Sequence, residues 1–208
     1  MKIQAEYLAP ETIEKRSFEI IEAELKTKLD EELKPIIKRV IHTTADFDYA
    51  KNLCFSDGVV KKALEAIKNG ADIITDTNMG KAGINKKSLA RFGGDVHCFM
   101  ADEDVALKAK ERGVTRAAIS MEKAVELNKS LIFAIGNAPT ALIRLHELIL
   151  KTNIKPELII GVPVGFVNVV EAKELIMETD VPYIIARGRK GGSNVAACIC
   201  NALLYMIP

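Results

Sequence analysis

The sequence has no tryptophan and only 5% aromatic residues, so its core must be built mainly from aliphatic side chains. Charge of one sign is also lacking, because the formal net charge is +1 and provides no overall field to attract nucleic acid or a membrane surface. No apolar run approaches the length of a membrane-spanning helix. The N-terminal segment MKIQAEYLAPETIEK has no apolar stretch of the signal-peptide kind, so we expect a cytoplasmic protein.

The four cysteines, Cys54, Cys98, Cys198 and Cys200, lack the C-x-x-C spacing of metal sites and redox motifs. Cys198 and Cys200 lie two positions apart in a predicted helix and therefore face different directions. We expect buried free thiols in a reducing compartment rather than a disulfide framework or a metal site. The sequence also shows no metal-ligand cluster, no nucleotide-binding glycine motif and no G-x-S-x-G elbow.

The composition is otherwise rich in isoleucine, valine, leucine and alanine, with 49% hydrophobic residues in all. Such a composition is typical of parallel strands that are buried on both faces. Short apolar strands alternate with amphipathic helices along the chain, and the strands are predicted at residues 53–56, 72–75, 96–99, 130–135, 158–160 and 182–186. This alternation predicts a single domain over residues 1–208, with an α/β fold in which a doubly wound, mainly parallel sheet has helices on both faces.

Helices are predicted between these strands from apolar periodicity and from their start and stop signals. Their predicted bounds are 11–29, 31–43, 59–69, 84–92, 102–112, 115–128, 141–151, 170–178 and from 195 nearly to the end. Asp57 is predicted to cap the helix that starts at residue 59. Thr115 is predicted to cap the helix at 115–128.

One histidine has polar neighbours and a defined place in a helix. Apolar residues from Leu33 to Thr44 recur at helical spacing, and Pro35 fits the first turn of that helix. His42 then lies in the last turn, where the helix macrodipole favours a protonated imidazole. Such a histidine can hold or donate a proton near neutral pH. The alternative is a helix-terminal histidine that only forms local hydrogen bonds.

Polar or glycine-rich segments follow four of the predicted parallel strands, at residues 76–83, 136–140, 161–168 and 187–194. The carboxyl ends of parallel strands share one edge of a sheet, where ligands bind. The first segment is equally consistent with a structural turn. The second predicts a sharp elbow whose N–H groups point outward, with Asn137 and Thr140 at the mouth of a site. The fourth carries cations and glycines before a helix capped by Ser193 or Asn194, which is typical of an anion cradle.

These segments together predict a wide mouth, rich in N–H donors and arginines, that suits a large, flat ligand with several carboxylates. Arg116 is predicted at a helix N-terminus, where a cation is favourable only if it helps to receive an anion. His97 and His146 are predicted to be structural, since nothing polar accompanies His97 in its strand and His146 lies well inside a helix. Arg16 and Ser17, on the first helix, are predicted from pattern alone to be exposed.

Four segments of the chain, in the same order, resemble the precorrin-8X methylmutase family, also called cobalt-precorrin-8 methylmutase, of cobalamin biosynthesis. They are residues 41–46, 134–142, 161–167 and 188–193. The likeness covers residues 13–203, and the runs Gly-Asn-Ala-Pro-Thr and Pro-Val-Gly-Phe-Val are specific in combination. One departure is Ala45, where the family usually carries glycine, and this change affects the turn after His42.

The resemblance implies an isomerase that moves a methyl group between neighbouring carbons of ring C of precorrin-8 or its cobalt complex. The product is hydrogenobyrinic acid or cobyrinic acid, which carries the corrin chromophore. The resemblance implies no redox cofactor, nucleotide or metal site. It implies a homodimer with the tetrapyrrole site near the subunit interface, so the expected partners are the corrinoid and a second copy, with neither nucleic acid nor membrane. The implied catalytic residue is His42, which hydrogen-bonds to or protonates the ring C region.

The resemblance and the residue types also predict substrate contacts. Arginines are expected to grip acetate and propionate side chains, hydroxyl and amide groups to complete the hydrogen bonding, and the apolar loop to pack on the macrocycle. Arg39 lies three residues before His42, on roughly the same side of that helix. The predicted substrate-binding residues are Arg16, Ser17, Arg39, Thr43, Thr44, Arg116, Gly136, Asn137, Thr140, Gly165, Phe166, Arg187, Arg189, Gly191 and Ser193.

Two other functions stay open at the level of the sequence. A non-catalytic corrinoid carrier would bind its ligand tightly, would still do so after His42→Ala, and would convert nothing. A nucleotide-dependent α/β enzyme would bind ATP or NAD, and the missing nucleotide motifs argue against it. Metal-free and cobalt-containing substrates are both compatible with these residues.

Overall fold

Helices pack on both faces of a six-stranded sheet in the computed structural model, which describes residues 7, 9–152 and 154–208. The strands are β1 (Leu53–Phe55), β2 (Asp72–Thr75), β3 (Val96–His97), β4 (Leu131–Ile135), β5 (Leu158–Gly161) and β6 (Tyr183–Ala186). Their spatial order is β1-β6-β5-β4-β2-β3. The pairings from β6 to β3 are parallel, and only β1, at the edge, runs antiparallel to β6. The predicted α/β fold with a mainly parallel, doubly wound sheet is confirmed.

The nine predicted helices occur in the predicted order with some different bounds, and the described residues form two further short helices, at 49–52 and 78–83, that were not predicted. The helices of the described residues are α1 (Pro10–Glu24), α2 (Lys34–Thr44), α3 (Tyr49–Asn52), α4 (Val59–Lys68), α5 (Asn78–Gly83), α6 (Lys86–Ala90), α7 (Glu103–Arg112), α8 (Arg116–Val125), α9 (Pro139–Thr152), α10 (Val169–Met177) and α11 (Ser193–Tyr205). The prediction that 76–83 is a loop is wrong in part, because the Thr77 hydroxyl accepts a hydrogen bond from the Gly80 N–H and caps the short helix α5.

Two of the predicted caps have different outcomes. The Thr115 hydroxyl accepts a hydrogen bond from the Ala118 N–H at 3.2 Å, so the cap of α8 is confirmed. The cap by Asp57 is wrong, because Gly58 is the N-cap residue of α4 and no side chain accepts there. Gly58 has φ +63°, a left-handed conformation that glycine adopts without strain.

Successive strand residues point into two different cores, one on each face of the sheet. Ile73 and Ile132 belong to the core that is closed by α2, α4 and α11. Ile74 and Phe133 belong to the core that is closed by α8, α9 and α10. Because both faces are covered, the strands are continuously apolar in sequence. Helix α11 packs against α2, α4 and α5, so it supports the helix that carries His42.

The strand order reverses between β2 and β4, since β3 lies on one side of β2 and β4 on the other. A reversal of this kind opens a crevice at the carboxyl ends of the two strands. Asp76 follows β2 and Gly136 follows β4, so both residues border this crevice.

The four cysteines are free thiols, with Cys54 partly buried and Cys98, Cys198 and Cys200 buried. Within the described residues, no helix combines the length and the apolar character that crossing a membrane would need.

Candidate active site

The segments that follow β2, β4, β5 and β6 meet at the carboxyl edge of the sheet, as predicted. Gly136 lies so close to the start of α11 that a Cβ atom on it would be 2.6 Å from the Cα atom of Ser193. The N–H of Gly192 donates to the carbonyl of Val162 at 2.9 Å. The hydroxyl groups of Thr77 and Ser193 are 2.8 Å apart. These contacts join the four segments into one continuous surface.

Asp76, for which no role was predicted, fills the crevice at the strand reversal. It is 1% exposed, and its Oδ1 accepts a hydrogen bond from the Gly136 N–H at 2.9 Å. Its Oδ2 accepts from the N–H groups of Asn137 at 2.8 Å and Ala138 at 2.6 Å. Burial raises the pKa of the Asp76 carboxyl, and the three N–H groups oppose this rise by favouring the anion.

The prediction that the N–H groups of this elbow point outward is therefore wrong. A carboxylate in the interior needs hydrogen-bond donors, and the Asp76 carboxylate takes the three that the elbow offers. The side chain of Asn137 remains exposed at the mouth, as predicted. An acidic residue directly after a fully buried strand was the signal in the sequence that could have identified Asp76.

His42 lies in the last turn of α2, as predicted, and its side chain is exposed. The imidazole faces the ring of Phe18 on α1, with 5.3 Å between the ring centroids. The guanidinium of Arg39 lies 5.0 Å from the centroid of the same ring. His42 and Arg39 thus share one side of α2, as their spacing predicted.

Arg39 also contacts residues of α1 and α11. It forms an ion pair with Glu14 of α1, and its guanidinium lies 5.3 Å from the ring centroid of Tyr205 in α11. Nearby in α1, Arg16 forms an ion pair with Glu19 at 3.7 Å. The Ser17 hydroxyl donates to the Ile13 carbonyl inside the helix. Arg16 and Ser17 precede Phe18 in α1, and both of these side-chain contacts lie within that helix.

The two threonines after His42 hold the end of α2. The Thr43 hydroxyl donates to the Arg39 carbonyl at 2.9 Å and also lies 3.0 Å from the sulfur of Cys198 in α11. The Thr44 hydroxyl donates to the Val40 carbonyl at 2.8 Å. In this structure both hydroxyl groups therefore make contacts within the protein.

A lysine ties the end of α2 to the segment between β6 and α11. The Nζ atom of Lys190 is 2.6 Å from a carboxylate oxygen of Asp46 and 2.6 Å from one of Asp48. Lys190 holds the pKa of the Asp46 carboxyl below its ordinary value. Between these groups and His42, Ala45 adopts φ 52° and ψ 29°, a left-handed conformation that favours glycine.

Two arginines and an exposed aromatic ring form the rim beside this segment. Arg187 donates two hydrogen bonds to Glu174 of α10, at 2.7 and 2.6 Å. Arg189 lies over the ring of Phe166, with its guanidinium carbon 5.5 Å from the centroid, and Phe166 is 82% exposed. The Gly165 N–H donates to the Arg189 carbonyl at 3.2 Å. Of the two arginines, Arg187 is thus already paired with a carboxylate.

Ser193 starts α11, but the predicted cap by Ser193 or Asn194 is wrong. Gly192 is the N-cap residue of α11, and no side chain accepts a hydrogen bond there. The Ser193 hydroxyl instead forms a hydrogen bond with the Thr77 hydroxyl and so joins the segments after β2 and β6.

Arg116 and Thr140 lie on the α8 and α9 side of the sheet edge. Arg116 starts α8, as predicted, and is exposed. The Thr140 hydroxyl accepts a hydrogen bond from the Thr115 hydroxyl at 2.8 Å. Among the residues that the structure describes, no hydrogen bond or ion pair joins either one to residues 39–46.

The other two histidines lie elsewhere. The ring of His97 has a polar partner, Asp72, which comes from the neighbouring strand β2 and not from its own strand. Its Nε2 is 3.0 Å from Oδ2 of Asp72, which also receives a hydrogen bond from Lys129 at 2.7 Å. Asp72 starts β2, so this cluster lies toward the opposite edge of the sheet. His146 lies inside α9, as predicted.

Over residues 7, 9–152 and 154–208, no group of three or more His, Cys, Asp or Glu side chains is arranged to hold a metal ion.

Comparisons with known proteins address the family of this chain. The family model described as precorrin-8X methylmutase matches residues 12–206. The cobalt-precorrin-8 methylmutase of Salmonella typhimurium is 45% identical over 203 residues, which cover 94% of this chain and 95% of that protein. The precorrin-8X methylmutase of Pseudomonas aeruginosa is 38% identical over 196 residues, which cover 93% and 94% of the two chains.

A solved structure agrees with the sequence comparisons. The precorrin-8X methylmutase from Thermus thermophilus superposes with a TM-score of 0.85 at 39% identity, covering 94% of this chain and 96% of that one. Both the match to the family model and these identities extend over nearly the whole length of the chain. The chain therefore belongs to the precorrin-8X methylmutase family.

Proposed function

We propose that the protein moves a methyl group between neighbouring carbons of ring C of precorrin-8 or cobalt-precorrin-8, in cobalamin biosynthesis, with His42 as the proton donor or hydrogen-bond partner. As a member of a methylmutase family, the protein is an isomerase. The observation that carries the role of His42 is its place as an exposed imidazole at the end of α2. Lys190 joins that end to the segment between β6 and α11, at the carboxyl edge of the sheet.

The proposed reaction requires few chemical groups from the protein. One carbon–methyl bond breaks while a bond to the neighbouring carbon forms, so substrate and product have the same composition and no electrons are exchanged with a partner. The step needs a proton donor that polarises the conjugated ring system, together with rigid positioning of that ring. The exposed imidazole of His42 carries an N–H group that can serve as this donor.

The same surface supports binding of a polycarboxylate. Arg189 is exposed at the rim, and Arg39 becomes available to a substrate carboxylate if it leaves Glu14. Charge-assisted hydrogen bonds from arginine to carboxylate are among the stronger polar contacts in proteins. The exposed Phe166 and Val167 provide an apolar surface on which a macrocycle packs.

The full set of proposed substrate contacts divides by position. Those on the first two helices are Arg16 and Ser17 of α1 and Arg39, Thr43 and Thr44 of α2, and those in the segments that follow the strands are Gly136, Asn137, Gly165, Phe166, Arg187, Arg189, Gly191 and Ser193. Arg116 and Thr140 have the weakest support, since Thr140 is bonded to Thr115 on the α8 side.

We also propose that the protein is a homodimer, as the family resemblance implies. The exposed Val167 and Phe166, at 78% and 82%, support a role for this rim in contacts beyond the single chain. Analytical ultracentrifugation at micromolar concentration tests this, and a monomer at all concentrations would refute it.

The test of the proposed reaction is spectroscopic. Purified protein is mixed with precorrin-8 and, separately, with cobalt-precorrin-8, without other cofactors, and the visible spectrum is followed. We expect conversion to the corrin spectrum by the wild type and by the control variant His146→Gln, and no conversion by His42→Ala. The same binding shift in wild type and His42→Ala, with no conversion by either, would instead identify a corrinoid carrier.

A further inference from the structure

A buried lysine without an assigned role holds the segment between β6 and α11. Lys173 of α10 is 0% exposed, and its Nζ donates to the carbonyls of Gly188 at 2.7 Å and Lys190 at 2.9 Å. Among the described residues no carboxylate pairs with this ammonium group, since the adjacent Glu174 binds Arg187 instead. Burying an ammonium group away from an anion is costly, so its contacts with this segment must be specific.

Lys173 contributes to a pattern in which the carbonyls of residues 188–190, but not the N–H groups of residues 188–191, have hydrogen-bond partners in the described part of the chain. Three successive carbonyls accept hydrogen bonds from the protein, those of Gly188 and Lys190 from Lys173 and that of Arg189 from the Gly165 N–H. The N–H groups of the same three residues and of the next one donate to no acceptor within the described part of the chain. The carbonyls are thus satisfied inside the protein, while consecutive N–H groups remain for a ligand.

The segment has little freedom to rearrange while these bonds hold. Gly191 passes so close to Val162 that a Cβ atom on it would lie 2.0 Å from the Val162 carbonyl oxygen. The next residue, Gly192, donates its N–H to that same carbonyl. Consecutive backbone N–H groups held in a fixed concave segment are a recognised way to bind anions.

We propose that Lys173 is a positioning residue that holds the carbonyls of Gly188 and Lys190 toward α10 and thereby presents the N–H groups of residues 188–191 to the carboxylates of the substrate. The identity of the ligand rests on the proposed function, whereas the effect of Lys173 on the segment does not. Without the ammonium group the two carbonyls are free to turn outward, where their negative ends repel a carboxylate.

The first test needs no substrate. Lys173→Met removes the ammonium group and retains a long apolar side chain, and Lys151→Met, at an exposed position of α9, is the matched control. Amide hydrogen exchange is measured by NMR at Gly165 and Gly192, whose N–H groups bond across the segment. We expect exchange to be about tenfold faster or more in Lys173→Met and unchanged in the control. Wild-type exchange in a folded Lys173→Met would overturn the proposal.

The second test measures binding. Hydrogenobyrinic acid is titrated into each protein and followed by absorbance, and KM and kcat are measured with precorrin-8. We expect Lys173→Met to weaken binding and to raise KM by about tenfold, with a smaller change in kcat, because the lysine acts on binding rather than on the proton donor. Binding within twofold of the wild type by the folded variant would overturn the proposal and leave the proposed reaction intact.

A second variant covers the case in which Lys173→Met does not fold. Lys173→Gln keeps a neutral N–H donor, so we expect it to fold and to show losses of about threefold in both measurements. Wild-type exchange and affinity in Lys173→Gln, with an unfolded methionine variant, would overturn the positioning role. A wild type that binds the product without converting precorrin-8 would refute the proposed function, while the exchange test still decides the role of Lys173.

Discussion

The imidazole of His42 and the ring of Phe18 face each other with 5.3 Å between their centroids and 39° between their planes. The two residues belong to different helices, α2 and α1, so their contact depends on how these helices pack. The same ring receives the guanidinium of Arg39 at 5.0 Å. Because the face of an aromatic ring carries negative electrostatic potential, it attracts the guanidinium cation of Arg39. Phe18 therefore links the proposed proton donor to a proposed carboxylate-binding arginine.

Replacing the ring tests whether Phe18 positions His42. Phe18→Leu keeps an apolar side chain but removes the aromatic face, so we expect kcat to fall by about tenfold with a smaller change in KM. Phe18→Tyr, which keeps the ring, is the control and should stay near wild type. In NMR spectra the imidazole protons of His42 should shift in Phe18→Leu only. Identical imidazole shifts in all three proteins would contradict the contact.

The buried carboxylate at the strand reversal provides a prediction about stability. Asp76→Ala leaves the N–H groups of Gly136, Asn137 and Ala138 without an acceptor, at about 1–3 kcal/mol for each unsatisfied group. We expect the free energy of unfolding to fall by about 3 kcal/mol or more in urea denaturation. Asp76→Asn keeps one acceptor oxygen and should cost less. The exposed Asp57, changed to alanine, should alter stability by less than about 0.5 kcal/mol.

The two rim arginines should contribute unequally to substrate binding. Arg187 is held by Glu174 through two hydrogen bonds, and its guanidinium lowers the pKa of the Glu174 carboxyl. Arg189 contacts only the Phe166 ring among the charged and aromatic partners described. We therefore expect Arg189→Ala to raise KM by about tenfold and Arg187→Ala to raise it less. Steady-state kinetics with precorrin-8 measures both, and a larger effect at Arg187 would show that it leaves Glu174 for the substrate.

Lys173 should make stability depend on pH in the alkaline range. Burial lowers its pKa from 10.5 to about 8, so between these values the unfolded chain binds more protons than the folded one. Stability must then rise with pH across this range, by up to about 3 kcal/mol from this group. The difference in unfolding free energy between wild type and Lys173→Met should shift in favour of the wild type as the pH increases from 8 toward 10.5. A difference that is independent of pH would contradict the lowered pKa.

The turn after His42 contains backbone strain that a glycine substitution should relieve. Ala45 has φ 52°, and a left-handed conformation costs a residue with a Cβ atom about 1 kcal/mol. Ala45→Gly should therefore raise the free energy of unfolding by up to about 1 kcal/mol and leave turnover unchanged. Ala23→Gly, at an exposed helical position in α1, should instead lower stability by up to about 1 kcal/mol. Destabilisation by Ala45→Gly would show that the alanine methyl group makes contacts whose stabilisation exceeds the backbone strain.

The sequence by itself determined the elements and their approximate arrangement. Apolar runs such as those in β2 and β4 predict strands buried on both faces, and their alternation with helices predicts a parallel sheet. The position of His42 in the last turn of α2 follows from helical spacing, because that spacing is a property of neighbouring residues. The meeting of the four strand-end segments follows from the geometry of any parallel sheet.

Only the tertiary structure decided which distant groups bond to one another. In sequence, Asp76 is equally consistent with an exposed turn, and Lys173 with an exposed helical face. The fold places Asp76 beside the elbow after β4 and Lys173 within hydrogen-bonding distance of the carbonyls of Gly188 and Lys190. The antiparallel direction of β1 was settled in the same way, by its pairing with β6. The physical reason is that a hydrogen bond or ion pair needs its two groups within about 3 Å, and for residues far apart in the chain only the packing of the elements brings them that close.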